Sequence, residues 1–320
     1  DYPFTVEAPT RITNDNFAQY YRMAWSLDGR YLVYVSIKND EANLFVWDGK
    51  SSAQIANSPA GIGDMAWGPG SQLAFVIFYT NVFPYEGDSS EAFIWNGETT
   101  VNLSQNPTGA DRVPAWNVDR RLAFLSERSE TYDIFVWVGI STIDGKPDVS
   151  TFDNIAPHLT DYFSNPTWTN SGSLAFEGSG PIDSGFAQIY EWNGTNVTNI
   201  SQNPTFHNGG QRWRSNGSWS FNTYFSGEQL VYIRDETNET QLTLEGYGAR
   251  WSTSGYFSFC RRTVTGAHWR FQNWEIPVLV KEYQGWTLLM GDGDEIIDIA
   301  HGDKIDVVWT NGEVFHCSDG

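Results

Sequence analysis

"MAWSLDGRYLVYVS" occupies residues 23–36, and its reading decides the fold. A tryptophan is followed by a short polar turn, Ser26 to Arg30, and then by an apolar run from Leu32 to Val35. Apolar β-branched and aromatic residues bounded by an Asp-Gly turn are the pattern of a strand, a tight turn and a second strand. The order returns as "MAWGPGSQLAFVIF" at 65–78, "PAWNVDRRLAFLSE" at 114–127 and "PTWTNSGSLAFEGS" at 166–179. It returns again as "QRWRSNGSWSFNTY" at 211–224, "ARWSTSGYFSFCRR" at 249–262 and "VVWTNGEVFHCSDG" at 307–320. These two strands are called a and b.

A third apolar run, strand c, ends in a turn dipeptide in "NLFVWDG", "AFIWNG", "DIFVWVG" and "QIYEWNG". Asn-Gly and Asp-Gly suit hairpins whose two central residues need positive φ. A fourth run, strand d, follows in "AQIANS", "TVNLSQN", "APHLTD", "VTNISQN" and "QLTLEG". The near-identical "NLSQNP" (102–107) and "NISQNP" (199–204) read as ends of strand d, with Pro breaking the strand. The unit is a four-stranded antiparallel meander, and no segment shows sustained helical periodicity. Successive tryptophans lie 38 to 58 residues apart, the length of a propeller blade.

The expectation is a single all-β domain over residues 1–320, a seven-bladed β-propeller of four-stranded antiparallel blades. Six blades are internal. The seventh is sewn from N-terminal strands c (Phe4–Glu7) and d (Thr10–Asn14) and C-terminal strands a and b around Trp309. If residues 274–300 are instead an insertion, the count drops to six.

The first blade resembles the repeat of TolB-type (PD40, WD40-like) β-propellers at Trp25, Ser26, Asp28, Gly29, Arg30, Leu32 and Tyr34. Later blades keep the Trp and the apolar run but lose the Asp-Gly. The resemblance covers nearly the whole chain and implies the fold. Such propellers serve as periplasmic scaffolds, surface proteins and non-catalytic partners of hydrolase domains, so it does not imply one activity.

Composition narrows the classes. The 320 residues are 40% hydrophobic and 16% aromatic, enough for a large core. A net charge of −20 repels a nucleic-acid backbone and an anionic membrane surface. No apolar run approaches the roughly 20 residues of a spanning helix. "DYPFTVEAPT" has neither the basic start nor the apolar stretch of a leader, so the sequence reads as the mature form of an extracellular or periplasmic protein. Cys260 and Cys317 end strand b of neighbouring blades, about 10 Å apart at sheet spacing, and are expected as unpaired thiols.

Catalytic chemistry finds few candidates. The Gly-x-Ser-x-Gly elbow of prolyl-oligopeptidase-like hydrolases is missing from the sequence. A glycosidase needs carboxylates converging on the central funnel, and Asp64, Asp111, Asp161 and Asp303 stand at or near d-to-a connections. "GDGDEIID" (291–298) offers Asp292, Asp294 and Asp298 as hard oxygen ligands for calcium. It lacks the full twelve-residue calcium pattern, and the plainer reading is an acidic solvated turn. No other cofactor is expected.

Recognition is the leading expectation. Three b–c loops are long: 79–91, 178–187 and 262–273. They carry Tyr79, Phe83, Tyr85, His268, Trp269, Arg270 and Phe271, side chains that anchor protein or sugar contacts. The chain therefore reads as a binding scaffold for a protein or glycan, within a larger assembly. The repeated Trp marks core packing. Asn-x-Ser/Thr triplets stand at Asn102, Asn193, Asn196, Asn199, Asn216 and Asn238.

Overall fold

The computed structural model describes residues 11–13, 18–79, 89–128, 132–138, 142–143, 146–147, 152–156, 162–179, 185–203, 205–213, 217–225 and 228–234. Between 239 and 317 it describes strand backbone alone. The chain forms two compact units, Asp1–Pro157 and His158–Gly320.

The first unit holds three four-stranded antiparallel sheets among the described residues. The first is β1 (Gln19–Trp25), β2 (Leu32–Lys38), β3 (Glu41–Trp47) and β4 (Ser52–Ser58). The second is β5 (Ile62–Trp67), β6 (Leu73–Phe78), β7 (Ser90–Trp95) and β8 (Thr100–Asn102). The third is β9 (Asp111–Trp116), β10 (Arg121–Ser126), β11 (Asp133–Val138) and, after an inserted hairpin of β12 (Thr142–Ile143) and β13 (Lys146–Pro147), β14 (Phe152–Asn154).

The second unit repeats the plan. Its sheets are β15 (Tyr162–Trp168), β16 (Leu174–Ser179), β17 (Gln188–Trp192) and β18 (Val197–Asn199), then β19 (His207–Trp213), β20 (Trp219–Phe225), β21 (Glu228–Arg234) and β22 (Glu239–Thr243). A sixth follows: β23 (Tyr247–Trp251), β24 (Phe257–Thr263), β25 (Trp274–Val280) and β26 (Leu288–Leu289). The pair β27 (Ile305–Val308) and β28 (Val314–Cys317) comes last. The six four-stranded sheets all have the a-b-c-d order read from the sequence, and among the described residues there is no helix. Of the expected closing strands, residues 4–10 and 14 lie outside the described residues, and Arg11–Thr13, expected within strand d, are described outside any strand. The side chains of Cys260 and Cys317 also lie outside the described residues.

One expected strand sits elsewhere. "APHLTD" was expected as strand d of the third sheet, but Phe152–Asn154 pairs with Trp137–Phe135 instead. The inserted hairpin fills the residues after strand c, and Phe152, packed edge-on against Phe124 at 5.5 Å, supplies the apolar contact.

Side chains repeat as faithfully as the backbone. In five sheets a strand-b ring stacks on a strand-c ring: Tyr34–Phe45, Phe75–Phe93, Phe124–Phe135, Phe176–Tyr190 and Phe221–Tyr232, at 5.3–6.2 Å. Such pairs contribute about 0.5–1.5 kcal/mol each beyond area burial. In four sheets the strand-a Trp meets the strand-c Trp edge to face, as Trp67 meets Trp95 at 6.1 Å. In the fifth sheet Arg234 replaces the second Trp and lies over Trp219 and Phe221.

Adjacent sheets pack through the same residues. Trp67 stacks on Tyr31 of the first sheet and donates its indole N–H to the Ala24 carbonyl at 3.0 Å. Gly68 has to be glycine, because a Cβ there would stand 2.5 Å from the Trp116 ring. Trp25 of the first sheet is 54% exposed, whereas Trp67 of the second is buried. Strand a of each four-stranded sheet also carries a bulge close before its Trp. The residue there has positive φ at Arg22 (48°), Val113 (50°), Asn165 (48°) and Gly210 (67°). A bulge bends the strand and increases its twist.

Candidate functional site

The meander brings b–c loops and d–a connections out at one end of each sheet, and a–b and c–d turns at the other. Of the residues singled out in the sequence, the described ones, Asp64, Asp111 and Tyr79, belong to the first end.

Asp64 lies within β5 at the bulge position, half exposed. Its Oδ1 accepts from Arg22 Nη1 at 3.2 Å, joining equivalent bulge positions of neighbouring sheets. Exposed pairs of this kind contribute about 0–1 kcal/mol.

Asp111 has the opposite surroundings. It opens β9 and is wholly buried, 0% exposed. The register sets Asp111 opposite Ser126 and Ser126 opposite Asp133, so the three share one face of the third sheet. Neither Asp111 carboxylate oxygen has a hydrogen-bond partner, and the Arg128 guanidinium stands 3.9 Å away. Burial pushes the Asp111 carboxyl above the usual range, offset in part by Ser104, Ser126, Arg128 and Asn106.

Arg128 reaches in from the b–c loop. Its Nε donates to Ser126 Oγ at 2.9 Å and its Nη2 to the Ser104 carbonyl at 3.1 Å. Its guanidinium carbon lies 4.7 Å from the Phe135 ring centroid and 4.8 Å from that of Phe152. Asp111 is thus sealed beneath a loop-borne cation.

Of the aromatic loop residues, Tyr79 is described. It is 47% exposed at the root of the second sheet's b–c loop, its N–H donating to the Ser89 carbonyl at 3.0 Å. Partial burial and a hydrogen bond to buried Glu91 push its hydroxyl pKa above the ordinary tyrosine value. Glu91 also accepts from Asn102 Nδ2 at 2.8 Å. Phe83, Tyr85, His268, Trp269, Arg270, Phe271, Asp161, Asp303, Asp292, Asp294 and Asp298 lie outside the described residues. Among the described residues, no three His, Cys, Asp or Glu side chains gather as metal ligands, and no helix is long and apolar enough to cross a membrane.

The doubled "SQN" is more than a strand end, which corrects the sequence reading. Ser104 Oγ accepts the Ala92 N–H at 3.0 Å, and Ser201 Oγ accepts the Ile189 N–H at 3.1 Å. Asn102 and Asn199 cap the turn, each accepting the N–H of the following Gln105 or Gln202. Those glutamines sit at φ 46° and 52°. The repeat is a side-chain clamp on strand c.

Sequence reasoning also missed Glu177. Its carboxylate accepts from Ser164 Oγ (2.9 Å), Asn165 Nδ2 (2.9 Å) and Gly210 N (2.6 Å), tying the fourth sheet to the fifth. A Cβ on Gly209 would meet that carboxylate at 2.8 Å. The Gly-Gly pair at 209–210 was the available signal.

No protein-family model matches the chain, and no curated protein sequence does. Solved structures do match. The β-propeller domain of the Trilobed protease from Pyrococcus furiosus is 14% identical, with 82% of this chain and 81% of that one covered, at TM-score 0.54. Acylaminoacyl peptidase from Pyrococcus horikoshii is 14% identical, with 82% and 44% covered, at 0.55. Prolyl oligopeptidase B from Galerina marginata is 9% identical, with 95% and 47% covered, at 0.62. The chain spans under half the length of these two peptidases. Similarity at this level speaks to fold, and it upholds the β-propeller expected from the TolB-type resemblance.

Proposed function

We propose that this β-propeller is a non-catalytic scaffold, exported from the cell, that binds a protein or glycan through its b–c loops. Tyr79, Phe83, Tyr85, His268, Trp269, Arg270 and Phe271 are the contact residues of this reading, and residues 1–320 act in it as one domain. The observation that carries it is the employment of the two described funnel candidates. Asp64 is bound to Arg22 at the surface, and Asp111 is closed off from solvent beside Arg128. General acid–base work needs a carboxyl within reach of substrate, which a sealed side chain does not offer. A chain of net charge −20 favours a partner other than nucleic acid.

The test uses the intact chain against extract from its own source. Tyr85→Ala with Trp269→Ala should weaken capture of a saturable partner about 30-fold, as loss of an anchor worth about 2 kcal/mol does. Asp64→Asn, Asp111→Asn and Asp303→Asn together should leave capture within a few-fold. Capture indifferent to the loop changes would overturn the reading.

A second reading, a hydrolase acting on glycans or peptides, is favoured by the peptidase propellers among the similar structures. In it, funnel carboxylates act on substrate, or the chain serves as the propeller of a longer enzyme. Turnover of a glycan or peptide panel that disappears in the triple Asp→Asn variant would select the first form.

A further inference from the structure

The Asn-x-Ser/Thr triplets look alike in sequence, but the fold gives them different work. At Asn102-Leu103-Ser104 the amide donates to Glu91 Oε2 at 2.8 Å, and the Ser hydroxyl is 3% exposed with the Ala92 N–H on it. At Asn199-Ile200-Ser201 the Asn oxygen accepts from Ser201 Oγ and the Gln202 N–H, and Ser201 is 2% exposed. A sugar on Asn102 would break its amide's bond to Glu91, and in both triplets the serine hydroxyl is buried and already bound to strand c.

The fourth sheet's c–d hairpin is different. Asn193, Gly194, Thr195 and Asn196 are all exposed, as is Thr198. The Asn193 oxygen accepts the N–H groups of Thr195 (3.0 Å) and Asn196 (2.9 Å) and so fixes the turn. Asn196 pairs through its backbone alone, its carbonyl accepting the Asn193 N–H at 3.2 Å. Asn196 stands exposed at the tip of the β17–β18 hairpin, with Thr198 two residues on along β18.

We propose that this hairpin is an N-glycan acceptor site and that Asn196 is the acceptor. The co-reactant is an oligosaccharide carried on a lipid pyrophosphate. The Asn196 amide nitrogen attacks the anomeric carbon, a C–N bond forms, and the sugar–oxygen bond to the pyrophosphate breaks. The lipid pyrophosphate leaves with the electron pair, the amide proton passes to a base of the transferase, and nothing is oxidised or reduced. Use of the site in nature rests on the exported location proposed above. The acceptor geometry belongs to the chain itself.

The test is secretion of the full chain from a eukaryotic host behind a supplied leader, with Asn216→Gln and Asn238→Gln present, followed by intact-mass and glycopeptide measurement. One glycan mass per chain is expected, located at Asn196. Asn196→Gln and Thr198→Ala should each remove it completely, and Thr198→Ser should restore it. A glycan that persists in Asn196→Gln, resides on Asn193, Asn102 or Asn199, or is missing from the secreted chain overturns the proposal. Because the leader is supplied, failure of the native location would show differently: a glycan in this host and none on protein from the natural source.

Discussion

The third and fifth sheets solve one problem in two ways. Five residues before the strand-a Trp, the third sheet places Asp111 opposite Ser126, and the fifth places Asn208 opposite Thr223. Both positions are sealed from solvent. Asn208 is satisfied: its oxygen accepts from Thr223 Oγ1 at 2.8 Å, and its amide donates to the carbonyls of Asn203 (3.1 Å) and Phe206 (3.0 Å). Asp111 is not, and it leans on Arg128. A neutral amide can be served by its own connection, whereas a buried carboxylate needs a cation brought in from a loop. The slot is architectural, and the charge in the third sheet is a variation on it.

Breaking the pair should have the largest effect. Arg128→Ala strands a buried carboxylate and should cost about 3–5 kcal/mol. In urea unfolding this reads as a lower midpoint at unchanged slope. Adding Asp111→Asn should recover most of the loss, since the sheet then carries the fifth sheet's chemistry.

The clamps come next. Ser104→Ala and Ser201→Ala each orphan a buried strand-c N–H, at about 1–3 kcal/mol. The two costs should match within error if the clamps are equivalent.

A pH series sharpens the contrast. Burial holds the Asp111 carboxyl above its ordinary value, so from about pH 4 upward the folded chain keeps a proton that the unfolded chain has released. Stability from this group is therefore lost as pH rises through that window. The stability difference between the wild type and Asp111→Asn should fall across it, measured by urea midpoints. Smallest of all, Asp64→Asn should shift stability by less than about 1 kcal/mol.

The architecture was legible because the residues that define it act locally. Trp followed by a turn and an apolar run fixes strands a and b, and β1, β5, β9, β15 and β19 all end on that Trp. Strand d of the third sheet was not, because "APHLTD" matches the spacing of the other units while the ladder is decided by an inserted hairpin and by Phe152. The carboxylates were found by type and place, but their exposure depends on distant residues. Nothing local to Asp111 announces that Arg128, held against Phe135 and Phe152, stands beside it. The clamp serines show the same limit, since Ser104 is two strands' worth of chain from the N–H it accepts.

The claim that this row of polar residues is part of the sheet architecture can be tested by transplanting one row onto another. Asp111→Asn with Ser126→Thr writes the fifth sheet's pair into the third. Urea unfolding of that double variant should give a cooperative transition within about 2 kcal/mol of the wild type, since Asp→Asn conserves volume and the added Thr methyl costs about 1–2 kcal/mol in a packed core. A loss as large as that of Arg128→Ala would contradict it and would mean that the two slots are not the same piece of architecture.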